Sequence, residues 1–222
     1  MSGGGLASRS VTLVARLVLV RHGETVGNSS IRYYGRTDLA LSAAGRAQMR
    51  ATAQALGNHF GITEFGRIFS SPLSRAREGA RIIGGHAAAI REIEEFREVD
   101  FGDFEGLTAA EIEARFPAEF ARWNRDRLAP DYDYPHGESR AAFTARVERG
   151  VERMLRLLGP EPASARPALV VAHRGVIRAI VRRLAGAEPA IELGSIQMLK
   201  RDSAEQWRVE QLDFTAHLAP LD

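Results

Sequence analysis

The chain contains no cysteine, and that absence alone excludes disulfides, cysteine-ligated zinc, iron–sulfur clusters and a thiol nucleophile. Lysine is nearly absent too. Lys200 stands alone, so every other one of the 30 basic residues is arginine, a planar and permanently charged fork suited to phosphate and carboxylate. Most of these arginines are expected to be solvated. An excess of one charge sign is also missing: 28 acidic residues leave a net charge of +2 and are interleaved with the basic ones. The clustered basic stripe of a nucleic-acid binder is therefore not there. No apolar run is long enough to span a membrane, since the longest, residues 11–20, is interrupted by Arg16. The first ten residues are rich in Gly and Ser, carry one arginine and precede no small-residue cleavage pattern. A flexible extension over residues 1–15, a single domain over 16–222 and a cytoplasmic location are expected, and a homodimer stays open as the assembly state.

What is present reads as an ordinary globular protein: 45% hydrophobic and 26% charged residues over a length of 222, enough for one good-sized core. Leu17-Val18-Leu19-Val20 and Ala168-Leu169-Val170-Val171-Ala172 are short apolar runs that read as strands buried on both faces. Arg67-Ile68-Phe69-Ser70 is a third strand, and residues 196–200 and 207–214 form a closing pair. Between them lie helical signals. Ser42 caps a helix to about Leu56, Ser71-Pro72 opens one to about Ile83, and Thr108 with Glu111 has capping-box spacing. Ser139 opens a longer helix with Phe143, Val147, Val151 and Leu155 on one face, and Val176, Ile177, Ile180 and Val181 mark the stripe of another. The stretch 161–167 reads as a surface loop. Strands alternating with amphipathic helices predict an α/β fold, a three-layer α/β/α sandwich around a mostly parallel sheet.

In open α/β sheets, ligands bind outside the carboxyl ends of the strands. Two of the buried strands run directly into histidine, at Arg21-His22-Gly23 and at His173-Arg174-Gly175, and a third runs into the helix start that carries Arg75. One such histidine is more often a structural hydrogen-bonder than a catalyst; two at equivalent strand ends are harder to dismiss. Converging on one rim, they bring two imidazoles, guanidiniums and a helix N-terminus together, which describes an anion site that phosphate fits best. The glycines are expected to let backbone approach the ligand. The neighbouring arginines argue against a divalent cation, and no HxH or HExxH spacing occurs, so neither a metal nor another cofactor is expected.

The block Leu17-Val-Leu-Val-Arg21-His22-Gly23-Glu24-Thr25-Val-Gly-Asn28 resembles the RHG signature of the histidine phosphatase superfamily, the phosphoglycerate mutase-like proteins. Further segments follow in the family's order: Gly35-Arg36-Thr37-Asp38, Ser70-Ser71-Pro72-Leu73-Ser74-Arg75, Glu98 to Gly102 with Glu105-Gly106, Gly137-Glu138-Ser139 and Val170-Val-Ala-His173. The resemblance covers roughly residues 16–200. It implies phosphoryl transfer through a phosphohistidine on His22, with Arg21, Arg75 and His173 around the phosphoryl oxygens, Asn28 and Arg174 as further phosphate ligands, and Glu98 as general acid. Tyr34 and Arg36 would shape the substrate pocket beside Tyr33. The stretch 115–127 would form part of a helical lid, with Phe116, Phe120 and Trp123 as lid core. His136 is a candidate for the pocket rim, whereas His59, His86 and His217 lack supporting company. Members commonly carry glycine directly after the second histidine, where Arg174 stands here, and Phe104 replaces a frequent tryptophan.

Membership does not fix the reaction, since the family holds phosphatases and mutases. Cofactor-dependent phosphoglycerate mutases carry a longer lid and extra basic residues, lysine included, after the acidic block. The short lid of this chain resembles the phosphatase branch, acting without metal on a small phosphorylated metabolite. The alternatives are such a mutase and a non-catalytic phospholigand-binding protein.

Overall fold

A computed structural model describes residues 15–129, 131–159 and 166–218. The extension expected over 1–15 lies outside these residues except for Ala15, which already opens the first strand, and most of the 161–167 loop lies outside them as well. The elements are β1 (Ala15–Arg21), α1 (Ala43–Phe60), β2 (Arg67–Ser70), α2 (Ser74–Gly84), β3 (Ile90–Glu92), α3 (Ala109–Arg115), α4 (Pro117–Asp126), α5 (Arg140–Leu158), β4 (Ala168–Ala172), α6 (Arg174–Ala185), β5 (Ile196–Arg201) and β6 (Trp207–Phe214). The strands form one six-stranded sheet in the order β3-β2-β4-β1-β5-β6. It is parallel from β3 to β1 and antiparallel at β5 and β6.

The continuous apolar runs in β1 and β4 follow from helices on both faces of this sheet. Val18, Val20, Leu169 and Val171 pack with Met49 and Leu56 of α1 and Ala76 and Ala80 of α2. Leu17, Leu19, Val170 and Ala172 pack on the other face with Val147 and Val151 of α5 and Ile177 and Ile180 of α6. Each large aliphatic side chain removed from water contributes about 1.5–3 kcal/mol. The three layers expected from the alternation of elements are thus present. Among the described residues, no helix is long and apolar enough to cross a membrane.

The caps foreseen at Ser42, Thr108 and Ser139 are formed, Thr108 and Glu111 making the reciprocal box. Three details differ from expectation. Ser71-Pro72 does not cap α2, which begins at Ser74 with its amide on the Asp38 carboxylate at 2.7 Å. The stretch 115–127 is divided between α3 and α4 at Phe116 (φ −135°), because Pro117 opens α4 and its ring bars the preceding residue from helical backbone. The edge strand β3 has three residues, too few to display an alternation.

One close approach fixes the loop that follows β1. A Cβ built on Gly23 would lie 2.4 Å from the Gly45 carbonyl oxygen, and one on Gly45 would lie 2.0 Å from that of Glu24. The loop therefore sits backbone to backbone on the first turn of α1. Gly23 is there for that contact, not to admit a ligand as the sequence pattern had suggested.

Candidate active site

The carboxyl ends of β1, β4 and β2 open on one rim. His22 follows the first, His173 follows the second, and Arg75 lies in the first turn of α2 after the third. The two imidazole centroids are 5.1 Å apart, with the rings inclined at 64°. His22, His173, Arg75 and Glu98 are 4, 1, 0 and 8% exposed. Chemistry-bearing side chains are thus buried where chain packing alone would have used apolar ones.

His22 Nδ1 donates to the Gly23 carbonyl at 2.7 Å, which leaves the ring's lone pair on Nε2. That nitrogen accepts from Arg75 Nε at 3.3 Å. The rest of the Arg75 guanidinium fans onto backbone, donating to the carbonyls of Thr37 (2.7 Å), Gly35 (2.8 Å) and Tyr34 (3.2 Å). The loop presenting those carbonyls is held by Glu105, which accepts from the amides of Gly35 and Arg36 and from the Thr37 hydroxyl. His173 Nε2 lies 2.7 Å from Ser71 Oγ, and Ser71 Oγ also accepts from the Leu73 amide. Ser71 Oγ can donate to His173 Nε2 or accept from it, and His173 Nδ1 is buried without a partner. This use of Ser71 is why it does not cap α2.

Burial, reinforced by Arg75 and Arg21, pushes His22 well below the ordinary histidine range; burial followed by Arg75 and His22 does the same to His173. Both rings are therefore neutral in the folded chain at neutral pH, whereas in the unfolded chain they take up protons below about pH 6.5. The unfolded state binds more protons there, so stability is present above pH 6.5 and is lost as pH falls toward the depressed folded values. Stability is therefore expected to fall between pH 7 and 5. Urea unfolding across that range should show it, and His173→Gln should make the fall shallower; identical pH slopes in the two proteins would contradict the assignment.

Arg21 Nη1 donates to the Ile191 carbonyl at 3.0 Å, and burial lowers the guanidinium to about 10, still charged at neutral pH. Ile191 holds that carbonyl in place from a left-handed backbone (φ 60°), a strained state for a β-branched residue. The Asp213 carboxylate on β6 fixes it by accepting from the amides of Ala190 (2.8 Å) and Ile191 (3.0 Å). Glu98 accepts from the Val99 amide through Oε1 and from the Gly175 amide through Oε2, both at 3.0 Å. A Cβ on Gly175 would come within 2.6 Å of Oε1, so this glycine makes room for Glu98 rather than for a ligand. Arg146 of α5 holds the segment leading to Glu98 by donating to the carbonyls of Glu95 (2.8 Å) and Arg97 (2.9 Å) while pairing with Glu138 (2.7 Å). Asp213 and Arg146 had no signal in the sequence, because each acts on backbone remote from it along the chain.

Arg21, His22, Tyr34, Glu98 and Arg174 line a cavity of about 270 Å³. Four expected members are not among the residues lining it: Arg75 and His173, which are buried beside His22, and Asn28 and Arg36. Asn28 is exposed and serves a turn in left-handed backbone (φ 61°), and the side chain of Arg36, 69% exposed, pairs with Asp100 at 3.2 Å. A second cavity of about 510 Å³ adjoins the first and shares Tyr33, Glu98, Phe101 and Arg174 with it. Trp123 forms part of its wall and meets Tyr33 edge-on at 5.7 Å, so this aromatic is not lid core alone. Phe120 stacks on Trp123, and Phe104 is buried against Phe116. His136 is exposed and pairs with Asp103, while His217 stacks on Phe214 away from the rim. Among the described residues, no group of three or more His, Cys, Asp or Glu is placed to hold a metal ion.

The family model described as histidine phosphatase superfamily, branch 1, matches residues 17–212. The uncharacterized phosphatase PhoE of Bacillus subtilis is 30% identical over 208 residues, covering 90% of this chain and 95% of its own. Glucosyl-3-phosphoglycerate phosphatase of Mycobacterium tuberculosis is 36% identical over 171 residues, covering 74% of this chain and 73% of its own. The mycobacterial glucosyl-3-phosphoglycerate phosphatase complexed with VO3 superposes with a TM-score of 0.72 at 31% identity, covering 90% of this chain and 99% of its own. The α-ribazole phosphatase of Shigella flexneri gives a TM-score of 0.75 at 26% identity, covering 90% and 97%.

Proposed function

The chain belongs to branch 1 of the histidine phosphatase superfamily, and from that membership we propose a phosphomonoester hydrolase that works through a phosphohistidine, without a metal ion, on a small phosphorylated metabolite. The observation that carries the mechanism is the state of His22: buried, neutral, and held with its proton on Nδ1, so that the lone pair lies on Nε2, which accepts from Arg75 Nε until phosphorus takes its place. In the first step Nε2 attacks phosphorus, the bond from phosphorus to the leaving oxygen breaks, and Glu98 gives that oxygen its proton. In the second, water attacks phosphorus and returns a proton to Glu98, the phosphorus–nitrogen bond breaks, and inorganic phosphate leaves with His22 neutral again.

Charge on the transferring group is met by side chains that are already cationic or already polarised. Arg75 and Arg21 stand beside His22, Arg174 lines the same cavity, and His173, its Nδ1 without a partner, stands beside His22. Arg75 and Arg21 are fixed by backbone carbonyls before substrate arrives, which is what electrostatic catalysis requires.

Two measurements made together test this reading: phosphate release from a panel of phosphorylated metabolites, and bisphosphoglycerate-dependent isomerisation of phosphoglycerate. The hydrolase releases phosphate and does not isomerise; isomerisation with little phosphate release would establish the mutase, and neither activity would establish a binding protein. Glu98→Gln should slow esters of aliphatic alcohols by about 10²–10⁴-fold and aryl esters much less, because an aryl oxide leaves without a proton. Equal loss for both classes would remove Glu98 from the acid role.

A further inference from the structure

The larger cavity carries more positive charge than a transferring phosphoryl group at His22 requires. Arg127 at the end of α4, Arg140 at the start of α5, and Arg174 and Arg178 one turn apart on α6 converge on it from three helices, and Glu98 is the only carboxylate in its wall among the described residues. Elsewhere the arginines of this fold commonly sit against carboxylates, as in Arg16–Glu210, Arg32–Glu111 and Arg146–Glu138. These four make no ion pair among the described residues. Arg127 and Arg140 donate to the carbonyls of Asn124 and Arg127, Arg178 donates to those of Pro189 and Ala190, and the Arg174 side chain makes no hydrogen bond among the described residues. Glu188, paired with Arg182, acts on Arg140 and Arg178 from outside the wall, so the repulsion among the four like charges is offset in part until an anion joins them. Arg174 accordingly opposes the protonation of both Arg21 and Arg178.

The rest of the wall is aromatic. Tyr33 meets Phe101 edge-on at 5.4 Å, Phe101 meets Tyr134 at 5.1 Å, and Arg127 lies over the Trp123 ring at 4.9 Å. Flat apolar faces beneath guanidiniums suit an organic ring that bears its own negative charge. Glu98 stands in the walls of both cavities, where the bond to the leaving oxygen would cross from one to the other.

We propose that the larger cavity receives the leaving group, and that this leaving group is a ring-sized organic body carrying a second anionic substituent, a carboxylate or a further phosphate. The proposal deepens the phosphatase reading and rests on it. It makes Arg140 and Arg178 specificity-determining residues that act on the part of the substrate that departs.

The test uses three phenyl phosphates with similar leaving groups and para substituents of matched size: carboxymethyl, phosphonomethyl and the neutral carbamoylmethyl. The full chain should hydrolyse at least one anionic ester with kcat/KM about tenfold or more above the neutral ester, the scale of a desolvated charge-assisted contact. High salt should erode that preference, and which anionic ester is favoured separates carboxylate from phosphate. The double variant Arg140→Met/Arg178→Met should bring the ratio close to one, mainly through the charged ester. Equal turnover of all three esters by the parent chain, or equal loss on all three in the variant, would overturn the proposal. Calorimetric binding of the same esters to His22→Asn separates the two readings. Preference in binding without turnover by the parent sinks the phosphatase and keeps the anionic cavity; turnover without preference does the reverse.

Discussion

His22→Asn is expected to abolish hydrolysis, lowering kcat by at least about 10⁴-fold on any phosphomonoester, because it removes the nitrogen that forms the covalent intermediate. Asparagine is chosen over alanine for a structural reason. Its side-chain amide can occupy the place of Nδ1 and donate to the Gly23 carbonyl, which His22 does now at 2.7 Å. The loop packed on α1 through Gly23 and Gly45 is then left in place, and an amide nitrogen has no lone pair with which to attack phosphorus. A loss of activity with unfolding unchanged is therefore a loss of nucleophile. Alkali-quenched labelling gives the second readout: the parent chain should hold phosphate in an acid-labile, base-stable form, as a phosphorus–nitrogen bond would be, and the variant should hold none. Turnover within tenfold of the parent, or label retained by the variant, would take the nucleophilic role away from His22.

The parts of this site that could be read from sequence are those where position along a strand already implies position in space. His22 and His173 follow apolar runs too continuous to be anything but strands covered on both faces, and the carboxyl ends of parallel strands share a rim. Arg75 was legible for the same reason, one turn into the helix after β2. Glu98 was not legible in this way, being one carboxylate among several and singled out only by the matched block. What escaped altogether is the support. Asp213 acts on amides 22 and 23 residues away, Asp38 caps a helix 36 residues on, and Arg146 holds carbonyls about 50 residues back. Their partners are backbone groups, which every residue possesses, so no residue pattern marks them. Asn28 and Arg36 fail in the opposite direction. The motif supplies the residue type, but the left-handed backbone at Asn28 and the Asp100 carboxylate beside Arg36 decide where those side chains go.

Arg75→Met should cost about 10²–10³-fold in kcat/KM, the scale of removing one preorganised donor from a buried transition state. Two consequences of the substitution must be separated. Arg75 is fully buried and supports the carbonyls of Thr37, Gly35 and Tyr34, so methionine leaves these acceptors without their donor and lowers stability. It also removes the charge that, after burial, contributes most to holding both His22 and His173 neutral. Without that charge the His22 value rises toward the ordinary range, and the ring begins to take a proton on its attacking nitrogen as the medium is made mildly acidic. The acid limb of the rate profile should therefore move to higher pH in Arg75→Met, measured as the ratio to the parent on one substrate so that ionisation of the substrate cancels. Arg75→Lys keeps a positive charge and loses the three-carbonyl fan, so it should be slow without that displacement. A merely structural Arg75 would give slow variants with the parent's profile, and Arg75→Met within fivefold of the parent would remove Arg75 from transition-state stabilisation. The three proteins together thus separate charge at the reacting atoms from support of the loop, the two functions this one guanidinium combines through its contacts with His22 Nε2 and the three carbonyls.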